Sequence, residues 1–156
     1  MKSEVDFAGL WEVVEKQYRG SLMGIHGPGH WRQVERNGVM LAEKNGLPAE
    51  EIVVVRLFAV LHDSQRVNDS WDREHGQRAA AYARSLQAVQ FELPERLLKK
   101  LEKACERHAL GETTEDVLIG SCWDADRLDL VRLGVVPQEE LMNTAEGKRI
   151  AREMNR

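Results

Sequence analysis

Apolar residues return every three or four positions along most of this chain, which is the spacing of an amphipathic helix. The stretch before position 108 shows the pattern, with one apolar face formed by Leu97, Leu101, Ala104 and Cys105. No stretch alternates apolar and polar residues between hairpin turns, so strands are not predicted. We therefore expect an all-α protein, a compact bundle of about six helices.

Caps and helix breakers predict where these helices begin and end. The expected helices are, in chain order, a first over about 4–19, a second from the segment 26–30 to Asn45, a third from Pro48 to the pair His62-Asp63, a fourth from an N-cap at Asp72 to about Leu86, a fifth from Pro94 to His108, a sixth capped by Thr113 or Thr114 and ending before Gly134, and a short last one from Pro137. The polar C-terminal dozen residues are expected to fray. No repeat or linker divides residues 1–156, so one domain is expected.

The composition predicts a cytoplasmic protein and is compatible with a small anionic ligand. The formal net charge is −4, whereas a nucleic-acid-binding surface needs a basic stripe, so no nucleic-acid partner is expected. Cys105 and Cys122 fall on apolar helical faces and are predicted to be buried, reduced thiols. No signal peptide or membrane-length apolar run is recognised, so no membrane association is expected. A homodimer is compatible with the small size of the chain.

The adjacent pair His62 and Asp63 closes the most apolar stretch of the sequence, residues 52–61. An imidazole and a carboxylate at the end of a buried helix are costly to desolvate unless a partner such as a metal ion satisfies them. All five histidines, at positions 26, 30, 62, 75 and 108, fall at or near the ends of expected helices. The sequence therefore predicts a metal site.

Helical facing indicates which polar groups point toward the core, at about 100° per residue. On the second helix His30 shares a face with Val34, Gly38 and Leu41. On the fifth helix His108 continues the apolar row of that helix. Two further imidazoles are thus expected on the core side, together with His62.

The segment 124–129 contains three aspartates, which the same argument separates. Asp126 and Asp129 fall on the apolar side of the sixth helix, whereas Asp124 falls on the polar side. Asp126 is the expected metal ligand, and Asp129 is the expected hydrogen-bond partner of a ligand. Asp124 is expected to be a solvated surface charge.

The order His30, then His62-Asp63, then Asp126 resembles the ligand order of the HD superfamily of metal-dependent phosphohydrolases. The run His-x-x-x-His-x-x-x-Val at 26–34 and the segment 124–129 also resemble HD motifs. The resemblance covers about residues 26–133 and implies an HD-domain fold. It also implies one divalent metal held by His30, His62, Asp63 and Asp126. This mixture of imidazole and carboxylate suits Mn, Fe, Co, Ni or Zn better than Mg.

The roles of His75 and His108 stay open between two alternatives. In HD enzymes with two metals, histidines between the doublet and the last aspartate complete a second site, and these two fall in that interval. In one-metal members, a histidine at the position of His75 faces the substrate phosphate instead. We favour one metal, with His75 as an acid or phosphate contact.

The resemblance implies hydrolysis of a phosphate ester or anhydride in a small anionic substrate, for which a nucleotide is our expectation. A divalent ion lowers the pKa of water from ~15.7 towards ~7. Asp63 is the expected proton acceptor, His75 the acid and Arg66 a phosphate contact. Other expected substrate contacts are His26, Arg78, His108, Arg127 and Asp129.

Arg66 also bears on the subfamily. HD members that hydrolyse guanosine tetraphosphate or dephosphorylate deoxynucleoside monophosphates have a glutamate at this position, so neither activity is expected. The Gly-Tyr-Pro signature of cyclic-di-GMP phosphodiesterases is also absent. Trp31 and Trp71 are candidates for stacking on a base.

Two other classes of function stay open. Some HD-fold proteins hold a diiron pair with ligands in the order His, His-Asp, His, His, Asp, which this chain also contains, and use it to activate dioxygen. A non-catalytic nucleotide or metal sensor is the third class.

Overall fold

The computed structural model describes residues 5–156, and the helices in that range confirm the all-α prediction. The seven α-helices are α1 (Phe7–Gln17), α2 (Pro28–Lys44), α3 (Ala49–Leu61), α4 (His75–Leu86), α5 (Glu95–Arg107), α6 (Val117–Leu128) and α7 (Ala145–Met154). Two 3-10 helices, Asp129–Leu133 and Glu139–Leu141, separate α6 from α7. Residue 4, the expected first position of the first helix, lies outside the described residues.

Two predicted N-caps were wrong, each for a local reason. α4 begins at His75 rather than just after Asp72, because the Asp72 carboxylate accepts hydrogen bonds from the loop amide of Val67 and from Arg78. α6 is capped by Asp116, whose side chain accepts from the amide of Ile119. The pair Pro94 and His108 does bound α5, as predicted.

The C-terminal residues form a helix, so the expectation that they fray was wrong. The Thr144 hydroxyl caps α7 by accepting from the amide of Gly147, and Ala151 is fully buried. The Asp124 carboxylate also holds the start of α7 by accepting hydrogen bonds from both amides of the segment 143–144.

α3 forms the centre of the bundle and packs against α2, α5 and α6, while α4 packs mainly against α5. Its side chains at positions 57–61 are fully buried. Each large apolar side chain buried in this way stabilises the fold by roughly 1.5–3 kcal/mol. Both cysteines are buried and unbonded, as predicted. Across residues 5–156, no helix combines the length and the apolar character that a bilayer span requires.

Because other helices surround α3, its C-terminal end lies in the middle of the molecule. His62 caps this end, and Asp63 follows it. The C-terminal end of α5, at His108, and the N-terminal end of α4, at His75, are close to the same point. Helix ends thus converge where the apolar core stops.

Candidate metal centre

Six side chains from five helices and their ends meet in one cluster. Five of them are buried and Asp126 is half-buried. The six are His30 on α2, His62 and Asp63 at the end of α3, His75 at the start of α4, His108 at the end of α5 and Asp126 on α6. We call this set the six-residue cluster.

The first half of the cluster contains His30, His62 and Asp126. The two Nε2 atoms are 3.1 Å apart, and Oδ1 of Asp126 lies 3.0 Å from that of His30 and 3.4 Å from that of His62. One ligand atom from each residue therefore faces a common point.

The second half contains Asp63, His75 and His108. Nε2 of His75 lies 3.0 Å from Nε2 of His108 and 3.1 Å from Oδ1 of Asp63. Nε2 of His108 lies 3.3 Å from the same oxygen. This trio has the same composition as the first, two imidazoles and a carboxylate.

Asp63 joins the two halves through its two carboxylate oxygens. Oδ1 faces His75 and His108, while Oδ2 lies 3.4 Å from Nε2 of His30 and 3.5 Å from Nε2 of His62. The doublet aspartate is thus placed to contact both trios at once.

The outer ring nitrogens fix the tautomers of three histidines. Nδ1 of His62 donates to the carbonyls of Phe58 and Ala59, since a carbonyl oxygen only accepts. Nδ1 of His75 donates in the same way to the carbonyl of Asp72, and Nδ1 of His108 to that of Cys105. In the neutral rings, each Nε2 therefore carries a lone pair that points into the cluster.

The Nε2 lone pairs and the carboxylate oxygens of each trio face one another, and they repel unless a positive charge lies between them. Two imidazole nitrogens that each lie about 2.1 Å from a shared cation are roughly 3 Å apart at the ~90° angle of octahedral coordination, which matches the separations of 3.1 Å and 3.0 Å in the two trios. Imidazole and carboxylate together form a donor set for a first-row transition metal. The residues present fit one divalent cation in each trio.

Asp129 orients the remaining histidine ligand, His30. Its Oδ2 accepts a 2.7 Å hydrogen bond from Nδ1 of His30. Burial lowers the pKa of His30, but the carboxylates of Asp126, Asp129 and Asp63 outweigh it and raise the pKa to about 11. Before a metal binds, a proton on His30 therefore supplies part of the positive charge.

The cluster carboxylates respond to the same surroundings. Burial raises the pKa of Asp63 and that of Asp126, but the imidazoles around each, His62 foremost, hold both pKa values well below the usual range. Both groups are therefore ionised at neutral pH and available as ligands.

His26 and Arg66, two predicted substrate contacts, border the cluster. Nδ1 of His26 lies 3.7 Å from Oδ2 of Asp63, and Nε of Arg66 lies 3.5 Å from Oδ1. Arg66 is held by the carbonyls of Asn68 and Ser70, while its buried Nε atom has no hydrogen-bond partner within residues 5–156. That N–H is available to an acceptor beside the cluster.

Two other predicted substrate contacts are engaged elsewhere. The guanidinium of Arg78 donates to both Asp72 oxygens and to the carbonyl of Gln65, so it braces the loop after the doublet. Arg127 donates to the carbonyl of Leu141 and has no hydrogen bond or ion pair with the cluster in the described chain. Within residues 5–156, neither arginine forms a hydrogen bond or an ion pair with the cluster.

The expectation for Asp124 was wrong. Its side chain is fully buried, and it accepts hydrogen bonds from the amides and side chains of Asn143 and Thr144. The facing argument considered only the bundle core, whereas α7 covers the other face of α6.

The two candidate stacking tryptophans differ in exposure. Trp31 is fully buried and donates to the carbonyl of His26, so it is a core residue. Trp71 is 81% exposed on the loop between the doublet and α4. Only the second is free to contact a ligand.

Sequence reasoning missed two residues that shape the site. A Cβ on Gly76 would lie 2.7 Å from the carbonyl oxygens of Cys105 and Glu106, so only glycine lets α4 approach the end of α5 this closely. Arg132 donates to the carbonyls of Ile25 and Asp129 and thereby ties the loop before α2 to the turn after α6. A glycine directly after a helix-starting histidine was the one signal available for the first.

Comparisons with known proteins bear on the fold. No protein-family model matches the sequence, and no curated protein matches it. The structure is similar to the crystal structure of a predicted HD superfamily hydrolase from an uncultured Thermotogales bacterium, with a TM-score of 0.69 and 18% sequence identity. The match covers 95% of this chain and 84% of that protein. The chain thus has the HD-domain fold that the residue order predicted.

Proposed function

We propose that this HD-fold protein is a metal-dependent phosphohydrolase that acts on a phosphate ester or anhydride, with a nucleotide as the expected substrate. The observation that supports this most is the pair of trios that share Asp63. Such sites are suited to phosphate chemistry because two adjacent cations hold the attacking and leaving oxygens of an in-line displacement.

The residues divide into ligands and substrate contacts. His30, His62 and Asp126 would hold one divalent cation, His75 and His108 a second, and Asp63 would contact both. The equal completeness of the two trios supports two cations over the single metal that we favoured from the sequence, and His75 is then a ligand rather than an acid. When bound, the cations supply Lewis acidity that acidifies water and neutralises phosphoryl oxygens.

Arg66 is the proposed substrate contact nearest the cluster. Its Nε atom lies 3.5 Å from Oδ1 of Asp63 and makes no hydrogen bond in the described chain, so it can donate to a nonbridging phosphate oxygen, and charge-assisted bonds of this kind are the stronger ones. His26, whose side chain is 12% exposed beside Asp63, borders the same space. The exposed ring of Trp71 is available to stack on a base.

The test measures phosphate or pyrophosphate release from a panel of nucleotides, and p-nitrophenolate release from p-nitrophenyl phosphate and bis(p-nitrophenyl) phosphate, with Mn²⁺, Co²⁺ or Ni²⁺ present. Arg66→Met should lower kcat/KM about 100-fold with the metal content unchanged. Arg73→Met is the matched control, since Arg73 is exposed on the same loop and has no ion pair in the described chain. Loss of turnover in both variants, or in neither, would remove the role given to Arg66.

Trp71→Ala separates a nucleotide from other phosphate esters. It should raise KM for the preferred nucleotide and leave turnover of ribose 5-phosphate unchanged, because only the first has an aromatic ring to stack. Equal effects on both substrates would argue against base recognition by this residue.

A diiron oxygenase is the second candidate, because all six residues of the order His, His-Asp, His, His, Asp meet in the cluster. Protein purified under air from iron-supplemented cells would then contain about two iron atoms per chain and absorb visible light. Colourless protein that hydrolyses a phosphate with Mn²⁺ would decide for the hydrolase.

A further inference from the structure

A cleft of about 340 Å³ lies directly beside the six-residue cluster. His30 and Asp129 both line it, so the cleft adjoins the cluster through a cluster residue and its hydrogen-bond partner. Gly29, Gln33 and Arg36 border it from one face of α2, and Arg132 borders it from the 3-10 helix that follows α6. The volume is that of a small-molecule site.

The α2 wall of this cleft has a positive charge with no acidic partner. Arg36 is exposed and forms no ion pair with any carboxylate among residues 5–156. Its guanidinium donates to Gln33, which donates to Asn37, and Asn37 donates in turn to the carbonyl of Ala125 on α6. This chain of hydrogen bonds directs Arg36 along the helix face that borders the cleft.

The 3-10 helix after α6 carries the second guanidinium of the cleft. Arg132 donates through Nε to the carbonyl of Ile25 and through Nη1 to that of Asp129, and its Nη2 lies 3.4 Å from Nδ1 of His26. A guanidinium has five N–H groups, so donors remain for a ligand. Asp129 is the acidic residue of the cleft. Its Oδ2 accepts from Nδ1 of His30 and lies 3.7 Å from Nη1 of Arg132, so it offsets part of the charge of that guanidinium, whereas Arg36 keeps its full charge.

We propose that this cleft binds a second anionic group of the substrate, a phosphate or a carboxylate, while the phosphate to be hydrolysed lies at the cluster. The proposal rests on the proposed phosphohydrolase function and adds a substrate class to it. Preferred substrates carry two anionic groups, and Arg36 recognises the one that is not cleaved.

Three stable phosphonates test the cleft by calorimetric titration of Mn²⁺-loaded protein. Methylphosphonate has one anionic group, phosphonoacetate adds a carboxylate, and methylenediphosphonate adds a second phosphonate. We call the last two, which carry two anionic groups each, the dianionic probes. Mass spectrometry measures the metal content before and after each titration, since these probes also bind free metal. Binding is read directly, so turnover is not required.

Arg36→Gln should weaken at least one of the two dianionic probes by about tenfold and leave methylphosphonate within about twofold. Arg32→Gln is the matched control one turn earlier on α2, since Arg32 does not line the cleft and contacts Glu15 and the Trp11 ring instead. It should leave all three probes within about twofold. Weakening of methylenediphosphonate alone would identify a phosphate as the second group, and weakening of phosphonoacetate alone a carboxylate.

A second variant, Gly29→Glu, tests the cleft independently by adding a negative charge to it, because loss of an exposed arginine can have only a small effect on binding. A Cβ at Gly29 meets nothing within 4 Å, and a glutamate in the first turn of a helix is favourable, so this variant should fold. Its charge should weaken the dianionic probes more than Arg36→Gln does. Unchanged binding in both variants, or an equal loss for methylphosphonate, would overturn the proposal.

Failure of the proposed function gives a different result. If no sample retains metal, the metal centre is wrong, and the difference between the natural protein and Arg36→Gln in metal-free titrations still decides whether the cleft selects dianions.

Discussion

Asp129 accepts a 2.7 Å hydrogen bond from Nδ1 of His30 and so turns the other ring nitrogen of His30 toward His62 and Asp126. Asp129 follows the last residue of α6, three positions after Asp126. One short segment therefore supplies both a ligand carboxylate and the carboxylate that orients the facing imidazole.

Removal of this orienting carboxylate should weaken the metal centre without unfolding the protein. We expect Asp129→Ala to lower metal affinity about 10- to 100-fold, because partners of this kind fix the tautomer and direction of a ligand histidine. Asp129→Asn keeps a hydrogen-bond acceptor, so its metal affinity should fall between those of the natural protein and Asp129→Ala. Competition with a fluorescent chelator measures the affinity, and equal affinities in all three proteins would contradict the account.

Metal binding should release protons and tighten as the pH rises. Without metal, nearby carboxylates raise the pKa of His30 to about 11, so His30 is protonated at pH 7, and a cation at Nε2 must displace that proton. Calorimetry in buffers of different ionisation enthalpy should show release of about one proton at pH 7. Affinity that is independent of pH between 6 and 9 would argue against His30 as a ligand.

The metal-free protein should have its highest stability in mildly acidic solution. The raised pKa of His30 contributes stability that is complete below its ordinary value of 6.5 and is lost as the pH rises toward 11. The lowered pKa values of Asp63 and Asp126 contribute stability that is complete above 3.8 and is lost in stronger acid. The free energy of unfolding, measured with urea in the presence of a chelator, should therefore be highest between about pH 4 and 6.5. Bound metal should move this maximum to a higher pH.

Even an alanine at position 76 should destabilise the protein. A Cβ there would lie 2.7 Å from two carbonyl oxygens of α5, so Gly76→Ala must push α4 away from the end of α5. We expect a loss of about 1–3 kcal/mol in the free energy of unfolding and weaker binding at the trio with His75 and His108. Gly29→Ala, at a position with open space, is the control and should cost little.

Asp124 and Asp126 should differ in the property that each controls. Asp124→Ala leaves four donors of Asn143 and Thr144 without an acceptor and should lower stability by about 2–4 kcal/mol with the metal content intact. Asp126→Ala should lower metal content instead. Urea unfolding and metal analysis of both variants separate the roles, and a reversed pattern would show that the two aspartates have been misassigned.

These two aspartates also show what could be predicted from the sequence. Helical facing placed Asp126 and Asp129 on the side of the cluster, because α6 continues to Leu128, the residue directly before Asp129. The predicted continuation of this helix to just before Gly134 was wrong, since Asp129–Leu133 forms a 3-10 helix. Facing failed for Asp124, since it cannot reveal that a later helix covers the outer face. Burial of His30, His62 and His108 followed from their apolar neighbours in the sequence.

Arginines were predicted less well than histidines for a physical reason. A long side chain takes whichever acceptor lies within its reach, so nearness in sequence to the doublet did not place Arg78 or Arg127 at the cluster. Arg132 lies more than a hundred positions from Ile25, its acceptor, and no local pattern indicates that contact. The orientation of Asp63 between two trios likewise depends on how five helices meet.

The most direct test is the metal content of the protein after loading with Mn²⁺ and removal of free metal, compared with Asp63→Ala and with Asp69→Ala. Asp69 is exposed on the loop after the doublet and serves as the control. The account predicts about two equivalents in the natural protein and in the control, and less than one in Asp63→Ala, since Asp63 contacts both trios. Absence of bound metal in the natural protein would contradict the central claim.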